Sequence, residues 1–592
     1  MSDLLQPDHA AAICLIRPPA VESFRFATTS IALPLGLAYI SAALKAAHFR
    51  VHVIDAVGEA PKVRTRYTKG YLVGMRLERI AQRIPDHSDI VCISVTFTHE
   101  WPLVVRLIDL IRARLPDAKI VIGGEHVTSL PEFSLLTAKA DIAVLGEGEE
   151  TIVELASALR NRRPLAGIAG IAFREAGNAQ GNVQVNCRRE RRADIDAIPV
   201  PDWESFDPVT YHRNRFVGGM YSSRMTIPIL ATRGCPYQCT YCSAPNMWLP
   251  RWIPRDPVKV VDEIEANVKR YGAGNFPFQD LTAIIQKDWI KAFCEELIRR
   301  KLDICWQLPT GTRSEAIDPE VARLLKASGM TSMAYAPESG SDRTRRFIKK
   351  KMTASKLYES IDAATGAGLN VAVFLVIGFP HDRPEHLAEN FPFIDELGRR
   401  GVSDLSVGFY MALPGTELFH SLYDAGRIKL DRRYFRHILE SLALVPSQSY
   451  CAALRPIDLV FWKFRLYRRF YGGKKSDSRD GALTSIRRAL RGVLSAEDHG
   501  TKLETAFRNG VMSGLETIGV FFQPRYMKRA DELAMFAAWD GIYRNVRQQK
   551  LASGAAERGP PDATELHRTN VIEALRKDHA TRRSIAPAPA RA

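Results

Sequence analysis

Residues 233–243 read RGCPYQCTYCS, which places Cys235, Cys239 and Cys242 on one short loop at the spacing C-x3-C-x2-C. Three thiols so close in the chain suit a metal centre better than a disulfide. A [4Fe–4S] cubane has four irons, and each normally takes one thiolate. Three thiolates therefore leave one iron open, and an open iron can chelate a substrate. Structural zinc asks for four ligands, and no fourth Cys or His lies near the motif.

The elements around this loop say how it is held. The segments TIPILAT (226–232), NFPFQ (275–279), ICWQL (304–308), TSMAYAP (331–337), NVAVFLVI (370–377) and DLSVGFY (404–410) read as buried strands. Amphipathic helical stretches at 257–270, 287–300, 318–328, 354–366 and 384–399 alternate with them. Six strand–helix units fit a partial (βα)6 barrel over 226–429, too few for a closed eight-stranded one. The cysteines follow its first strand, and chemistry in parallel barrels gathers at the carboxyl ends of the strands. An earlier series lies within 1–160: AAICLIR (11–17), RVHVID (50–55), DIVCISV (89–95), KIVIGG (119–124) and DIAVLG (141–146). With helices between them, these strands predict an open, doubly wound α/β sheet. Residues 161–225 read as a linker with a little strand, 430–550 as a helical, basic, aromatic region, and 551–592 as a disordered tail.

Composition narrows the class. The chain has nine cysteines, an odd number, and its N-terminus lacks a basic flank before an apolar core. Both features argue against a disulfide framework and for a reducing, cytoplasmic setting. No stretch approaches the ~20 apolar residues of a membrane span. The net charge is +16, and from residue 451 onward 26 Lys and Arg face 15 Asp and Glu. A basic end attracts anionic partners, yet charge runs are more often solvated surface. The stretch IDLVFWKFRLYRRFYGGKK (457–475) is amphipathic. It could make peripheral contact with a membrane surface, although a helix packed on the barrel is the preferred reading.

The cysteine motif, with the aromatic Tyr241 before its last member, resembles that of the radical S-adenosylmethionine superfamily. The resemblance implies that the open iron binds the amino and carboxylate groups of S-adenosylmethionine. An electron from the cluster then cleaves the sulfonium to a 5′-deoxyadenosyl radical, supplied by a donor such as flavodoxin or ferredoxin. It implies further that Tyr241 lies near the adenine. APESGSD (336–342) resembles the strand-four signature, with Glu338 and Ser339 at the ribose, and VIGFPHD (376–382) the strand-five turn, with Gly378 beside the adenosyl group. ALPGTEL (412–418) is similar to the turn after strand six. In PFQDLTA (277–283), Asp280 departs from the Gly-Gly-Glu of many members.

The first domain is similar to the cobalamin-binding module of one large radical subclass, through PLGLAYISAALKAAHFRVHVID (34–55), IGGEHVTSLPE (122–132) and LGEGEET (145–151). Gly123, Gly124, Gly146 and Gly148 fall just after strands four and five, at the edge where open sheets bind ligands. There they would let a flat corrin lie against backbone. Ser94 and Thr96 end the third strand on the same edge, and His126 and Glu149 follow the glycines. The loop after the first strand, RPPAVESF (17–24), has no histidine, which implies a cobalamin without a histidine lower ligand.

The architecture therefore resembles the subgroup of anaerobic magnesium-protoporphyrin monomethyl ester cyclase and radical C-methyltransferases. Its implied work is methylation of an unactivated carbon in a small-molecule or lipid substrate. The alternative is oxidative cyclisation of a tetrapyrrole-like substrate. A tRNA methylthiotransferase-like enzyme is a third reading, disfavoured because Cys14 and Cys92 are isolated rather than part of a further triad. No catalytic acid or base can be named from the sequence.

Overall fold

The computed structural model describes residues 12–24, 31–68, 70–175, 182–219, 222–440, 446–473, 520 and 523–553. The stretch read as a tail lies outside them from residue 554 on.

Five parallel strands form the heart of the first sheet, in the spatial order Arg50–Asp55, Ala12–Arg17, Ile90–Ser94, Lys119–Gly123, Ile142–Val144. They are rich in Ile and Val, and all but the outer Arg50–Asp55 are buried along nearly their whole length, as strands covered on both faces must be. This is a doubly wound order, with its reversal between Ala12–Arg17 and Ile90–Ser94, where such sheets bind ligands. Residues read as linker extend the sheet: Ile171–Arg174 and Val183–Val185 add two antiparallel strands. A small antiparallel sheet of Ala20–Ser23, Gly70–Val73 and Arg64–Tyr67, unforeseen from the sequence, flanks the domain.

The second sheet runs Asn275–Pro277, Cys305–Thr312, Met330–Glu338, Asn370–Ile377, Asp404–Phe409, all parallel. The segment expected as its first strand joins by isolated bridges, Thr226 to Asn275 and Ile229 to Phe278, which completes six positions of an open barrel. The Ile227 and Ile229 amides donate to Asn275 and Pro277 (both 3.1 Å), but Pro277 lacks an amide hydrogen to return, which interrupts the ladder there. The expected helix 384–399 is broken into Pro384–Ala388 and Asn390–Arg399, where the buried Asn390 side chain accepts from the Gly340 amide (2.7 Å).

The helical region is a clasp. Helix Arg529–Ala552 sets Trp539 and Tyr543 against Phe133 of the first domain, at ring distances of 5.6 and 6.1 Å. On its other side Tyr543 meets Phe419 and Tyr423 beside the barrel, at 5.8 and 4.6 Å. Lys550–Glu132 and Arg547–Asp424 ion pairs, both 2.9 Å, repeat the bridge. Among the described residues no helix is long and apolar enough to cross a membrane.

Because Trp539 is buried against Phe133, Phe435 and Phe536, Trp539→Ala should cost about 3–5 kcal/mol. It should also expose the C-terminal helix to protease before the barrel unfolds. Denaturant titration with limited proteolysis checks this; an unchanged cleavage pattern would refute the clasp.

Candidate active site

The cysteine loop is tied at both ends. At its entry the buried Asp280 carboxylate accepts the backbone amides of Ala231 (3.2 Å) and Thr232. Burial pushes its pKa up to about 6. Asp280 is thus spent on fixing the strand that enters the loop. At the exit the Thr240 amide donates to Ile348 (3.1 Å), and the Leu418 amide to Thr240 (3.0 Å). Cys235, Cys239 and Cys242 are half-buried and free of disulfides. Burial raises all three thiols, Cys242 to about 12, while the Lys350 ammonium and Arg313 guanidinium pull Cys235 and Cys239 back. Arg313 is itself stacked 3.9 Å above the Tyr237 ring on the same loop.

Strand Met330–Glu338 ends against this loop. Glu338 adopts φ +66°, a left-handed conformation that a non-glycine residue takes only under constraint. Its carboxylate accepts from the Tyr241 hydroxyl (2.7 Å) and pairs with Lys350 (3.2 Å). The structure thus joins two residues nearly a hundred positions apart, with the Tyr241 ring against Phe379 at 5.6 Å. Ser339 is buried and turned to its own bend, where its hydroxyl accepts from the Ser341 amide (3.1 Å). Gly378 has φ +94°, and its amide and that of Phe379 both donate to buried Asp382 (2.9 and 3.0 Å). Burial raises Asp382 to about 7.

The carboxyl edge of the first sheet faces this constellation. Ser94 and Gly123 are in register, and Gly123 with Val144. Gly124 (φ +116°) cannot be replaced, since a Cβ would lie 2.5 Å from the Val95 carbonyl. Gly146 (φ +72°) looks across at the Met247 carbonyl beyond the cysteine loop. Gly148 lies against Ile40, and Thr96 is exposed at the same edge. At the other end of the edge, Tyr211 from the connecting segment donates to Asp55 (2.7 Å) and contacts Arg17, closing the first and second strands. The open part of the edge is therefore Ser94, Thr96, Gly123 and Gly146.

Two expected edge residues point elsewhere. His126 is 1 % exposed and packed between Trp101 and Phe133, with Nδ1 on Thr98 Oγ1 (3.2 Å). Burial depresses it to about 3, so it stays neutral. Glu149 is bound by the Arg233 guanidinium at 2.6 Å, and Arg233 also reaches Glu147 at 3.1 Å. Arg233 opens the cysteine loop two residues before Cys235, is 4 % exposed, and lies over the Tyr39 and Trp248 rings at 4.9 and 5.7 Å. The acidic run GEGEET thus grips the barrel. Glu125, after the glycine pair, accepts a hydrogen bond from Ser243 directly behind Cys242. The sequence reading passed over Arg233, Glu125, Lys350 and Asp382. Only Arg233, two residues before the first cysteine, offered a signal, a charge directly after a buried-strand pattern.

A family profile for the B12 binding domain matches residues 27–156, and one for the radical SAM superfamily matches 229–394. The chain belongs to the cobalamin-binding-domain-containing radical S-adenosylmethionine enzymes. It is 26 % identical to cytidylyl-2-hydroxyethylphosphonate methyltransferase of Streptomyces wedmorensis, over 71 % of this chain and 84 % of that one. It is 27 % identical to anaerobic magnesium-protoporphyrin IX monomethyl ester cyclase of Cereibacter sphaeroides, over 74 % and 67 %. Its fold matches that of TsrM, a radical S-adenosylmethionine methyltransferase from Kitasatospora setae solved with cobalamin and a [4Fe–4S] cluster. The TM-score is 0.58 at 16 % identity, covering 86 % of this chain and all of that one. In this radical S-adenosylmethionine enzyme the matched regions hold all but one parallel strand of each sheet, leaving out Ala12–Arg17 and Asp404–Phe409, and the Arg233 contacts join them.

Arg233→Met should cost about 3–5 kcal/mol, because it strands Glu149 in a buried site. Adding Glu149→Leu should restore much of that loss. Burial raises Glu149, but Arg233 outweighs it and holds the carboxyl below its ordinary range. A depressed carboxyl contributes stability above its unfolded pKa and loses it as pH falls. The gap between wild type and Arg233→Met should therefore narrow on acidification below about pH 4.3. Melting curves across pH would show it, and a pH-independent gap would count against the pair.

Proposed function

We propose that Cys235, Cys239 and Cys242 hold a [4Fe–4S] cluster, and that Tyr241, Glu338, Lys350 and Gly378 position S-adenosylmethionine beside it. The donor set fits: three half-buried thiols on one loop, free of disulfides and faced by two cations, suit an anionic thiolate cluster. Glu338 offers a carboxylate fixed by Tyr241 and Lys350, the right chemistry for a diol. Asp382 shapes the turn that lets backbone approach at Gly378.

The open edge fits cobalamin. A Cβ built on Gly123 or Gly146 would touch the Val144 or Met247 carbonyl at 3.5 and 3.6 Å, so a side chain at either position would fill the edge that glycine leaves as bare backbone. His126 is turned away from that edge, which supports a cobalamin without a histidine beneath it. When bound, these cofactors supply reductive cleavage of the sulfonium and a cobalt-borne methyl group. The chain's contribution is placement: the edge faces the cysteine loop across the Gly146–Met247 and Glu125–Ser243 contacts. A small molecule between them could reach both cofactors.

That facing arrangement is the observation that carries the reading of a C-methyltransferase acting on an unactivated carbon of a small-molecule or lipid substrate. The cyclase relative supports a second reading, oxidative ring closure of a tetrapyrrole-like substrate. A single-electron donor of the flavodoxin or ferredoxin kind would serve either.

Anaerobic reconstitution should give about four irons and one cobalt per chain, the stoichiometry of one cubane and one corrin. Cys239→Ala should lose the iron and keep the cobalt. Iron without cobalt would remove both readings while sparing the cluster. Cells fed methionine with a deuterated methyl group decide between the two. A product heavier by the intact methyl supports methylation, and a product without label supports cyclisation.

A further inference from the structure

Helix Pro456–Gly473 lies on the barrel through one face. Leu459, Trp462, Leu466 and Phe470 are buried. The Tyr467 hydroxyl accepts from the Val407 amide (3.1 Å) and the Tyr471 hydroxyl from Leu405 (3.3 Å), capping the last barrel strand. The packed-helix expectation therefore holds for this face.

The opposite face is different. Ile457, Phe461 and Phe464, spaced i, i+4, i+7, form one stripe and are 45, 62 and 55 % exposed. Both phenylalanines are more exposed than the next most exposed described phenylalanine, Phe97 at 45 %. Arg465 and Arg468 continue the stripe and are exposed. The Arg465 guanidinium lies over the Trp462 ring at 4.5 Å. The single acidic residue of the helix, Asp458, is bound by Arg455 (3.1 Å), and neighbouring Arg469 is paired with Asp395 (2.6 Å). Arg465 and Arg468 form no ion pair among the described residues. Lys463 is sunk inward with its ammonium 4.7 Å from the Phe409 ring, so it adds nothing to the outer face.

We propose that this face docks the enzyme on the surface of an anionic lipid bilayer, with Ile457, Phe461 and Phe464 entering the headgroup–acyl boundary and Arg465 and Arg468 meeting lipid phosphates. Charge complementarity selects this occupant. A partner protein would need an apolar socket ringed by carboxylates at this spacing, whereas an anionic bilayer offers hydrocarbon and phosphate with no shape to match. The cations forbid insertion across the bilayer, so contact is peripheral. The docking is independent of which reaction the enzyme catalyses, and its test needs no turnover.

Flotation of the full-length, reconstituted protein with phosphatidylcholine vesicles, with and without phosphatidylglycerol, is the experiment. Wild type should float with the anionic vesicles and release at high salt. Arg465→Gln/Arg468→Gln should lower partitioning about thirtyfold, from two surface cations. Phe461→Ser/Phe464→Ser should lower it about tenfold or more, and both variants should keep wild-type melting and iron content. Three outcomes overturn the proposal. In the first, Phe461→Ser/Phe464→Ser floats as well as wild type, so that other basic residues hold the membrane. In the second, wild type floats with neither vesicle. In the third, wild type is a dimer that this variant splits, so that a second copy covers the face.

Discussion

A buried guanidinium decides how the two halves of this enzyme meet. Arg233 opens the loop that carries Cys235, and its charge is balanced by Glu149 and Glu147 from the other domain. An unpaired buried charge costs several kcal/mol, so the barrel cannot rotate away from the first sheet without stranding one. Arginine suits this place better than lysine, because its planar group reaches both carboxylates while lying over Tyr39 and Trp248. Arg191, whose Nε lies 2.7 Å from Glu147, thickens the same seam. The result is a fixed register between the cysteine loop and the glycine edge, which two separately folded domains would lack.

Around that seam, polar groups that look available for chemistry serve the scaffold. Asp280 and Asp382 are both buried, and each uses its carboxylate to gather two backbone amides at a turn beside the cofactor region. Both have pKa values raised by burial. A carboxylate in water would perform neither task, since solvent would compete for its oxygens. Glu338 differs: its strained backbone aims a carboxylate at the cysteine loop, held there by Lys350 and Tyr241. Strain of this kind persists only where the surroundings over-determine it.

Much of the fold was legible because both sheets are parallel and buried, which writes them as unbroken Ile- and Val-rich runs. The cysteine loop was legible because three thiols at fixed spacing need no tertiary context. What the sequence hid is whatever depends on pairing across distance. Glu149 follows a glycine pair at a ligand-binding edge, and nothing local says that an arginine from another domain reaches it first. His126 occupies the next turn in the same way, yet Trp101 and Phe133 draw it into the core. Some strand was expected within 161–225, but that Ile171–Arg174 pairs with Ile142–Val144 and so joins the first sheet is again a matter of distant pairing.

The C-terminal clasp answers a problem that the Arg233 seam alone leaves. One hinge point fixes distance but leaves torsion free, and a site shared by two domains needs both. Helix Arg529–Ala552 supplies a second, distant contact, with Phe133 on one domain and Phe419 and Tyr423 on the other meeting the same Tyr543 ring. The first seam centres on a buried charge at the cysteine loop, while the second joins ring contacts to the Lys550–Glu132 and Arg547–Asp424 pairs beside helix Pro131–Thr137. Two separate contacts restrain how the glycine edge and the barrel mouth can turn against each other. The proposed function asks for this restraint, because a substrate shared by two sites reacts well only when both are held at a set separation.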